Sequence, residues 1–183
     1  MKGKNITSGW PLTLYVAATL LLAAGSAAAI LLNPWFSFLR NAMSDLGNPG
    51  NGPFYWVFNY TLIAGGALFA AYFALVFSKV RPRTSLLMAV TSLFLVLVGV
   101  FHEGVGRIHF YVSVLYFVNG MAGLAAYWGE RRSLYGLAGL YTSMGLFGLY
   151  YAGLLGTGVS VPEVVSTAFF YFMPLVEFMR RRR

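Results

Sequence analysis

The chain has 183 residues, of which 58% are hydrophobic and 10% are charged, and its mean hydropathy is +0.69. Soluble domains carry about 25% charged residues, so this composition excludes a soluble globular protein, and its many apolar residues exclude a disordered chain. The absence of cysteine rules out disulfides, thiol catalysis and thiolate metal sites. Because a membrane-spanning helix needs about 20 apolar residues, the length allows six spans and no separate soluble domain.

The sparse charged residues divide the sequence into six apolar segments. They predict an all-α, polytopic membrane protein, a six-transmembrane-helix bundle that forms one domain over residues 1–183. The predicted helices lie at about 10–32, 54–79, 85–101, 109–128, 133–155 and 161–179. The first segment is too long for a cleavable signal peptide, so we expect it to span the membrane.

The basic residues predict the orientation of the bundle. With six spans, both termini lie on one side, and that side holds all 13 Lys and Arg residues except Arg40 and Arg107. Since positively charged loops stay in the cytoplasm, we predict a multi-pass protein of the cell membrane with cytoplasmic N- and C-termini. The basic residues are spread over short segments beside apolar spans. We therefore expect membrane lipids as partners and no nucleic acid.

The first external loop, residues 33–53, is long for a compact bundle. A connection of this length usually has a function of its own. Its apolar residues Phe36, Leu39 and Met43 recur at helical spacing, which predicts a short helix lying in the membrane interface. We expect this helix to cover the external end of the bundle.

Most groups capable of acid–base or metal chemistry fall on the external side. The candidate site residues there are Ser44, Asp45, Asn59, His102, Glu103, Arg107 and His109. Asp45 has a local alternative, because its side chain can close the loop by bonding to nearby backbone. Glu163 is also external, but it is typical of a helix start that begins with a capping Ser160 followed by Pro162.

Four short segments carry a resemblance to a known family. They are NPWFS at 33–37, NAMSDLG at 41–47, FNYTLI at 58–63 followed by glycines at 65 and 66, and RIHF at 107–110. In these segments the sequence resembles the domain of unknown function 998, a family of prokaryotic membrane proteins. The resemblance implies six spans, a distant similarity to FRAG/DRAM/Sfk-type membrane proteins, some of them tied to lipid remodelling or lipid-dependent signalling, and no established activity. It draws attention to Ser44, Asp45, Asn59 and His109.

The leading functional hypothesis is an integral membrane protein that binds a lipid headgroup or an ion at a polar site on its external face. Ser44, Asp45 and Asn59 would contact the ligand together with His109. Arg107 would meet an anionic headgroup, because a guanidinium binds such groups with charge-assisted hydrogen bonds.

The alternative is a membrane-embedded lipid hydrolase or transferase. In a metal-dependent form, His102 and His109 would hold zinc together with one or both of the carboxylates Asp45 and Glu103. In a serine-dependent form, Ser44 would be the nucleophile and His109 its base, with a carboxylate such as Asp45 orienting the imidazole. A channel or transporter is less favoured, since no span carries an ionisable residue near its middle. We further expect Asp45 and His109 to lie within hydrogen-bonding or single-water reach.

Overall fold

The computed structural model describes residues 9–181 and contains six long helices in this range. They are α1 Trp10–Leu32, α2 Tyr55–Leu75, α3 Pro82–Val100, α4 Arg107–Arg131, α5 Leu134–Tyr151 and α6 Ser160–Arg181. Short 3₁₀ helices lie in the connections at Met43–Gly47, Phe77–Lys79 and Glu103–Val105. The described residues form no β-strand, and the prediction of an all-α fold is confirmed.

Several helix ends differ from the sequence expectation by one to four residues, and backbone chemistry explains two of them. Helix α3 begins three residues earlier than expected, at Pro82, because the fixed φ angle of proline suits the first turn of a helix. Helix α5 ends at Tyr151, before Gly153 and Gly156. Both glycines have positive φ angles, 72° and 65°, which glycine adopts without strain and which stop a helix.

The six helices run alternately up and down between two ends of the bundle. We call one the lid end, formed by residues 33–54, 101–106 and 152–159, and the other the arginine end, formed by residues 76–81, 131–133 and 177–181. Each helix packs along its neighbour in sequence, and α4 also packs on α6. Helices α1 and α6 do not pack along each other in this way, so the bundle is packed less tightly between these two helices.

Five of the helices, α1 to α4 and α6, are long and apolar enough to cross a membrane. The outer surface of the bundle exposes large apolar side chains such as Leu20, Leu31 and Leu86, which in a membrane face lipid. The chain is therefore a multi-pass membrane protein. Helix α5 is less apolar, because four of its 18 residues are tyrosine and four are glycine.

The arginine end is joined by a single buried carboxylate. Glu177 of α6 is 0% exposed, and its Oε1 accepts hydrogen bonds from Arg81 Nη2 at 2.8 Å and from Arg181 Nε at 2.9 Å. Its Oε2 accepts from Arg131 Nε at 3.4 Å and from the Tyr127 hydroxyl at 3.3 Å. A buried charge is tolerated only with such partners, and these partners connect the start of α3 and the end of α4 to α6.

We predict that Glu177→Gln destabilises the bundle far more than Glu130→Gln. Removing one member of a buried ion pair costs about 3–5 kcal/mol, and we expect the lower end because the arginines are partly exposed. Glu130 accepts from the backbone N–H groups of Arg83 and Thr84 at the start of α3, and loss of such a cap costs about 1 kcal/mol. Unfolding of both variants in detergent measures the difference, and equal losses would contradict this assignment.

Candidate functional site

The loop from Asn33 to Phe54, which we call the lid, crosses the lid end of the bundle. The expected interfacial helix through Phe36, Leu39 and Met43 is wrong, because residues 34–42 form turns and only Met43–Gly47 is a 3₁₀ helix. Polar side chains compete with helical hydrogen bonds here. Asn41 Oδ1 accepts from the backbone N–H of Ser37 at 2.9 Å.

On one side the lid is attached to the start of α6. The backbone N–H of Met43 donates to Glu163 Oε2 at 2.7 Å. Ser160 donates from its hydroxyl to the Phe38 carbonyl at 3.0 Å and from its backbone N–H to the Asn41 carbonyl at 3.2 Å. Ser160 and Glu163 therefore bind the lid, in addition to beginning the helix as the sequence indicated.

On the other side the lid is attached to α2. The buried Asn59 donates from Nδ2 to the Gly47 carbonyl at 2.9 Å. A Cβ atom at position 47 would collide with the Asn59 side-chain amide, so only glycine fits this contact. The neighbouring Leu46 is 1% exposed and packs into the core, and Asn59 thereby fixes the lid to the bundle.

The Asp45 side chain forms hydrogen bonds within the lid itself. Its Oδ2 accepts from the Asn41 Nδ2 at 2.9 Å and from the backbone N–H of Ala42 at 3.0 Å. This is the local alternative that the sequence allowed for Asp45. Ser44 lies beside it and lines the cavity described below.

His109, near the start of α4, is buried and bonded through both ring nitrogens. Its Nδ1 lies 2.7 Å from the Phe101 carbonyl oxygen, and its Nε2 lies 3.3 Å from Ser113 Oγ. A carbonyl can only accept, so Nδ1 carries the hydrogen and the neutral ring presents Nε2 as an acceptor for the Ser113 hydroxyl. Among residues 9–181, Asp45 and His109 share no direct hydrogen bond, and each bonds other groups. A contact between them through a single water molecule stays a prediction.

The other candidates lie around the connection from α3 to α4. His102 packs beside Tyr55, with ring centroids 6.2 Å apart, and Arg107 is exposed. Glu103 accepts from Asn48 Nδ2 at 3.5 Å. Within the described part of the chain, no three His, Asp or Glu side chains come together as a metal-binding group, so their positions give the zinc alternative no support.

A cavity of about 370 Å³ lies beneath the lid. Its walls come from α1, α2, α3, α4 and α6, and its roof from the lid residues Phe38, Met43 and Ser44. Along α1 the lining extends from Thr19 to Ile30, which corresponds to a depth of about 16 Å at the helical rise per residue. Its lower end is closed by the Phe69 and Tyr171 rings, stacked with centroids 4.0 Å apart.

Most of the cavity wall is apolar, and several polar groups lie in its upper part. The side chains of Ser44, Glu163 and Ser113 all line it. So do Tyr116 and Thr167, whose hydroxyl oxygens are 3.0 Å apart. Of these residues the sequence singled out Ser44 as a candidate, whereas Ser113 was missed although its position four residues after His109 places both on one face of α4.

The cavity is open towards the side of the bundle. Ala23 and Ala27 of α1 and Val164 and Phe172 of α6 line it and are exposed. Helices α1 and α6 do not pack along each other at this level, although they meet below it, where the Tyr15 hydroxyl donates to the Tyr171 carbonyl at 3.1 Å. The cavity is therefore accessible from the side of the bundle, between α1 and α6.

The lid end holds acidic groups close together. Burial raises the pKa of Glu103 to about 7, and the neighbouring Asp45 carboxyl contributes to the increase, while the hydrogen bond from Asn48 partly opposes it. The ion pairs recorded over residues 9–181 are all at Glu177. Within this range the acids of the lid end are therefore stabilised by hydrogen bonds and not by ion pairs. At Glu103 the raised pKa also favours the neutral, protonated form.

Comparison with known proteins identifies one family. A family model described as "Protein of unknown function (DUF998)" matches residues 16–176. This range contains the lid, all the cavity-lining residues and the four segments that carry the resemblance. No curated protein and no solved structure matches the chain.

We predict that the parent becomes less stable as pH rises and that Glu103→Gln removes this pH dependence. The folded state holds the Glu103 proton up to about pH 7, whereas the ordinary value is 4.5, so between these pH values the folded state binds more protons than the unfolded state. Its stability then falls as pH increases through this window. Unfolding temperatures in detergent at pH 5 and pH 8 measure the effect.

Asn48→Ala serves as the control for this prediction. It removes the long hydrogen bond to Glu103 and keeps the titrating carboxyl. Because that bond partly opposes the raised pKa of Glu103, Asn48→Ala should lose at least as much stability with rising pH as the parent. If Glu103→Gln shows the same fall in stability as the parent between pH 5 and pH 8, the assignment to Glu103 is wrong.

Proposed function

The chain belongs to the DUF998 family, whose description assigns no activity, and we propose that it binds a membrane lipid with an acyl chain in the cavity and the headgroup at the lid. The observation that supports this proposal best is the cavity itself. It extends from a polar roof into an apolar interior and opens between α1 and α6.

The dimensions of the cavity favour a lipid chain. Its volume of about 370 Å³ falls in the range of about 300–1,000 Å³ typical of small-molecule sites. Its depth of about 16 Å is roughly half of the ~30 Å hydrocarbon core, which is the depth of one leaflet. A linear apolar chain entering from that leaflet would fit both measures.

The polar groups at the lid would provide the selectivity. An acyl chain that leaves the bilayer for an equally apolar cavity gains little from the hydrophobic effect. Binding must therefore depend on contacts with the headgroup. Ser44 lines the roof of the cavity, and Arg107 is exposed at the same end of the bundle, where its guanidinium can meet an anionic headgroup. Asp45, Asn59 and His109 support this site by fixing the lid and α4.

We also propose six spans, with the arginine end in the cytoplasm and the lid end outside the cell membrane. The path of helix α5 from one end of the bundle to the other supports a sixth span. The chain before it contains Arg131, which bonds Glu177 at the arginine end, and the chain after it contains Gly158, which bonds Phe38 of the lid. The 18 residues of α5 cover about 27 Å. The arginine end contains the basic residues Lys79, Arg81, Arg131, Arg132, Arg180 and Arg181, and Arg83 lies beside it in the first turn of α3. Such a concentration of positive charge is typical of the cytoplasmic side.

Reporter fusions test this topology. A fusion after Lys79 should report the cytoplasm and one after Gly158 should report the outside, because an odd number of spans separates them. A five-span protein in which α5 stays on one side of the membrane would instead place both reporters in the cytoplasm.

Filling the cavity tests lipid binding. We expect Ala27→Phe to lower lipid occupancy about tenfold, since overpacking costs about 1–3 kcal/mol and each 1.4 kcal/mol is a factor of ten. Native mass spectrometry of protein extracted with its lipids provides the measurement. Ala24→Phe is the matched control, because Ala24 is exposed on the same helix and does not line the cavity.

The parent and Ala24→Phe should both retain bound lipid, and Ala27→Phe should retain little. Equal occupancy in all three proteins, or a parent without bound lipid, would reject the proposed function.

A further inference from the structure

The hydrogen bond of Ser113 differs from the one that several hydroxyls of the bundle make. Thr19, Thr61, Thr91 and Ser92, in α1, α2 and α3, donate to the backbone carbonyl four residues earlier. That bond is the usual way to satisfy a hydroxyl in a membrane helix. The Ser113 hydroxyl is instead paired with the side chain four residues earlier, at 3.3 Å from His109 Nε2.

His109 is arranged as a base for this hydroxyl. Its Nδ1–H donates to the Phe101 carbonyl at 2.7 Å, which fixes the tautomer and the orientation of the ring. The Nε2 atom is then free to accept a proton from Ser113. A nucleophile paired with a base, and a base oriented by a third group, are the parts that nucleophilic catalysis requires. The backbone carbonyl here takes the position that a carboxylate has in many such sites.

We propose that Ser113 and His109 form a nucleophile–base pair that cleaves a carboxylic ester of a lipid bound in the cavity. This proposal rests on the proposed lipid binding, and it adds a reaction class and a substrate class to it. Ser113 lines the cavity and lies six residues into α4, about 9 Å below its first residue. Ester groups lie near the same level, at the boundary between headgroup and acyl chains.

The reaction needs no cofactor. Ser113 Oγ bonds to the ester carbonyl carbon while its proton passes to His109 Nε2, and the C–O bond of the ester then breaks. The departing alkoxide takes the proton from Nε2, which leaves the acyl group on Ser113. Water from the lid end then attacks the acyl carbon and gives one proton to Nε2. That proton returns to Ser113 Oγ as the carboxylic acid is released.

Two further hydroxyls can stabilise the negative charge that develops on the carbonyl oxygen. Tyr116 lies three residues after Ser113, on the same face of α4, and its hydroxyl oxygen is 3.0 Å from Thr167 Oγ1. Both residues line the cavity. One of these hydroxyls donates to the other, and the second remains available as a donor for the oxyanion. Ser44 also lines the cavity, but it is Ser113 that the structure pairs with His109.

Covalent labelling with an alkyl fluorophosphonate tests the nucleophile. We expect the probe to label the parent and Ser44→Ala, and we expect the label to be lost in Ser113→Ala. The amide introduced by His109→Gln can still donate to the Phe101 carbonyl but cannot act as a base. This variant should therefore reduce the labelling rate by about 10²-fold or more. An unlabelled parent, or a Ser113→Ala protein labelled like the parent, would overturn the proposal.

A second measurement uses the absence of cysteine from the chain. Ser113→Cys introduces a single thiol, and we expect its alkylation to have a pH midpoint below the ordinary thiol value of about 8.5, because a histidine partner favours the thiolate. The shift should disappear in the double variant with His109→Gln. Ser26→Cys, which places a thiol in the same cavity on α1, is the control. An alkylation midpoint that is the same in Ser113→Cys and Ser26→Cys would also overturn the proposed nucleophile–base pair.

The lipid occupancy of Ser113→Ala separates this proposal from the proposed function. If the protein binds lipid but does not hydrolyse it, Ser113→Ala and the parent carry the same lipid and neither takes the label. If the pair is reactive but the cavity binds no lipid, labelling is lost in Ser113→Ala while native mass spectrometry shows an empty cavity in Ser113→Ala as well as in the parent. The first result rejects the nucleophile alone, and the second rejects lipid binding alone.

Discussion

The attachment of the lid determines the architecture of the lid end. A non-helical segment at the edge of a membrane must have its backbone groups satisfied within the protein. Glu163 accepts from Met43 on the α6 side, and Asn59 donates to Gly47 on the α2 side. Between these two hydrogen bonds the chain extends over the ends of the helices, and the cavity lies beneath it. Loss of either contact would leave polar groups unpaired next to the hydrocarbon, which costs more than the hydrogen bond contributes.

The sequence predicted the helices well because their determinants are local. Apolar segments separated by sparse charges are enough to place a membrane helix, and the family resemblance is confirmed over residues 16–176. The lid was predicted poorly because its conformation depends on side-chain bonds. Helical spacing of Phe36, Leu39 and Met43 favoured a helix, but Asn41 and Asp45 satisfy the backbone in turns. Periodicity cannot anticipate such bonds.

The candidate site was predicted in part, because grouping residues by membrane side finds charged groups and overlooks hydroxyls within spans. It grouped His109 with the lid, and the structure places His109 at the lid end. It also paired His109 with Asp45, whose side chain bonds within the lid. The Ser113 hydroxyl belongs to a span, where serine and threonine usually serve packing. Only the cavity and the bond to His109 distinguish it from residues such as Ser92.

The two ends of the bundle are stabilised by different forces, and this difference indicates which end can open. At the arginine end three guanidinium groups converge on the buried Glu177 and join α3, α4 and α6. At the lid end the lid is held by hydrogen bonds and by the buried Leu46, and α1 and α6 do not pack along each other beside the cavity. Local opening begins where buried contacts are fewest. Separation of α1 from α6 around the lower contact of Tyr15 with α6 would therefore widen the cavity toward one leaflet while the arginine end stays closed.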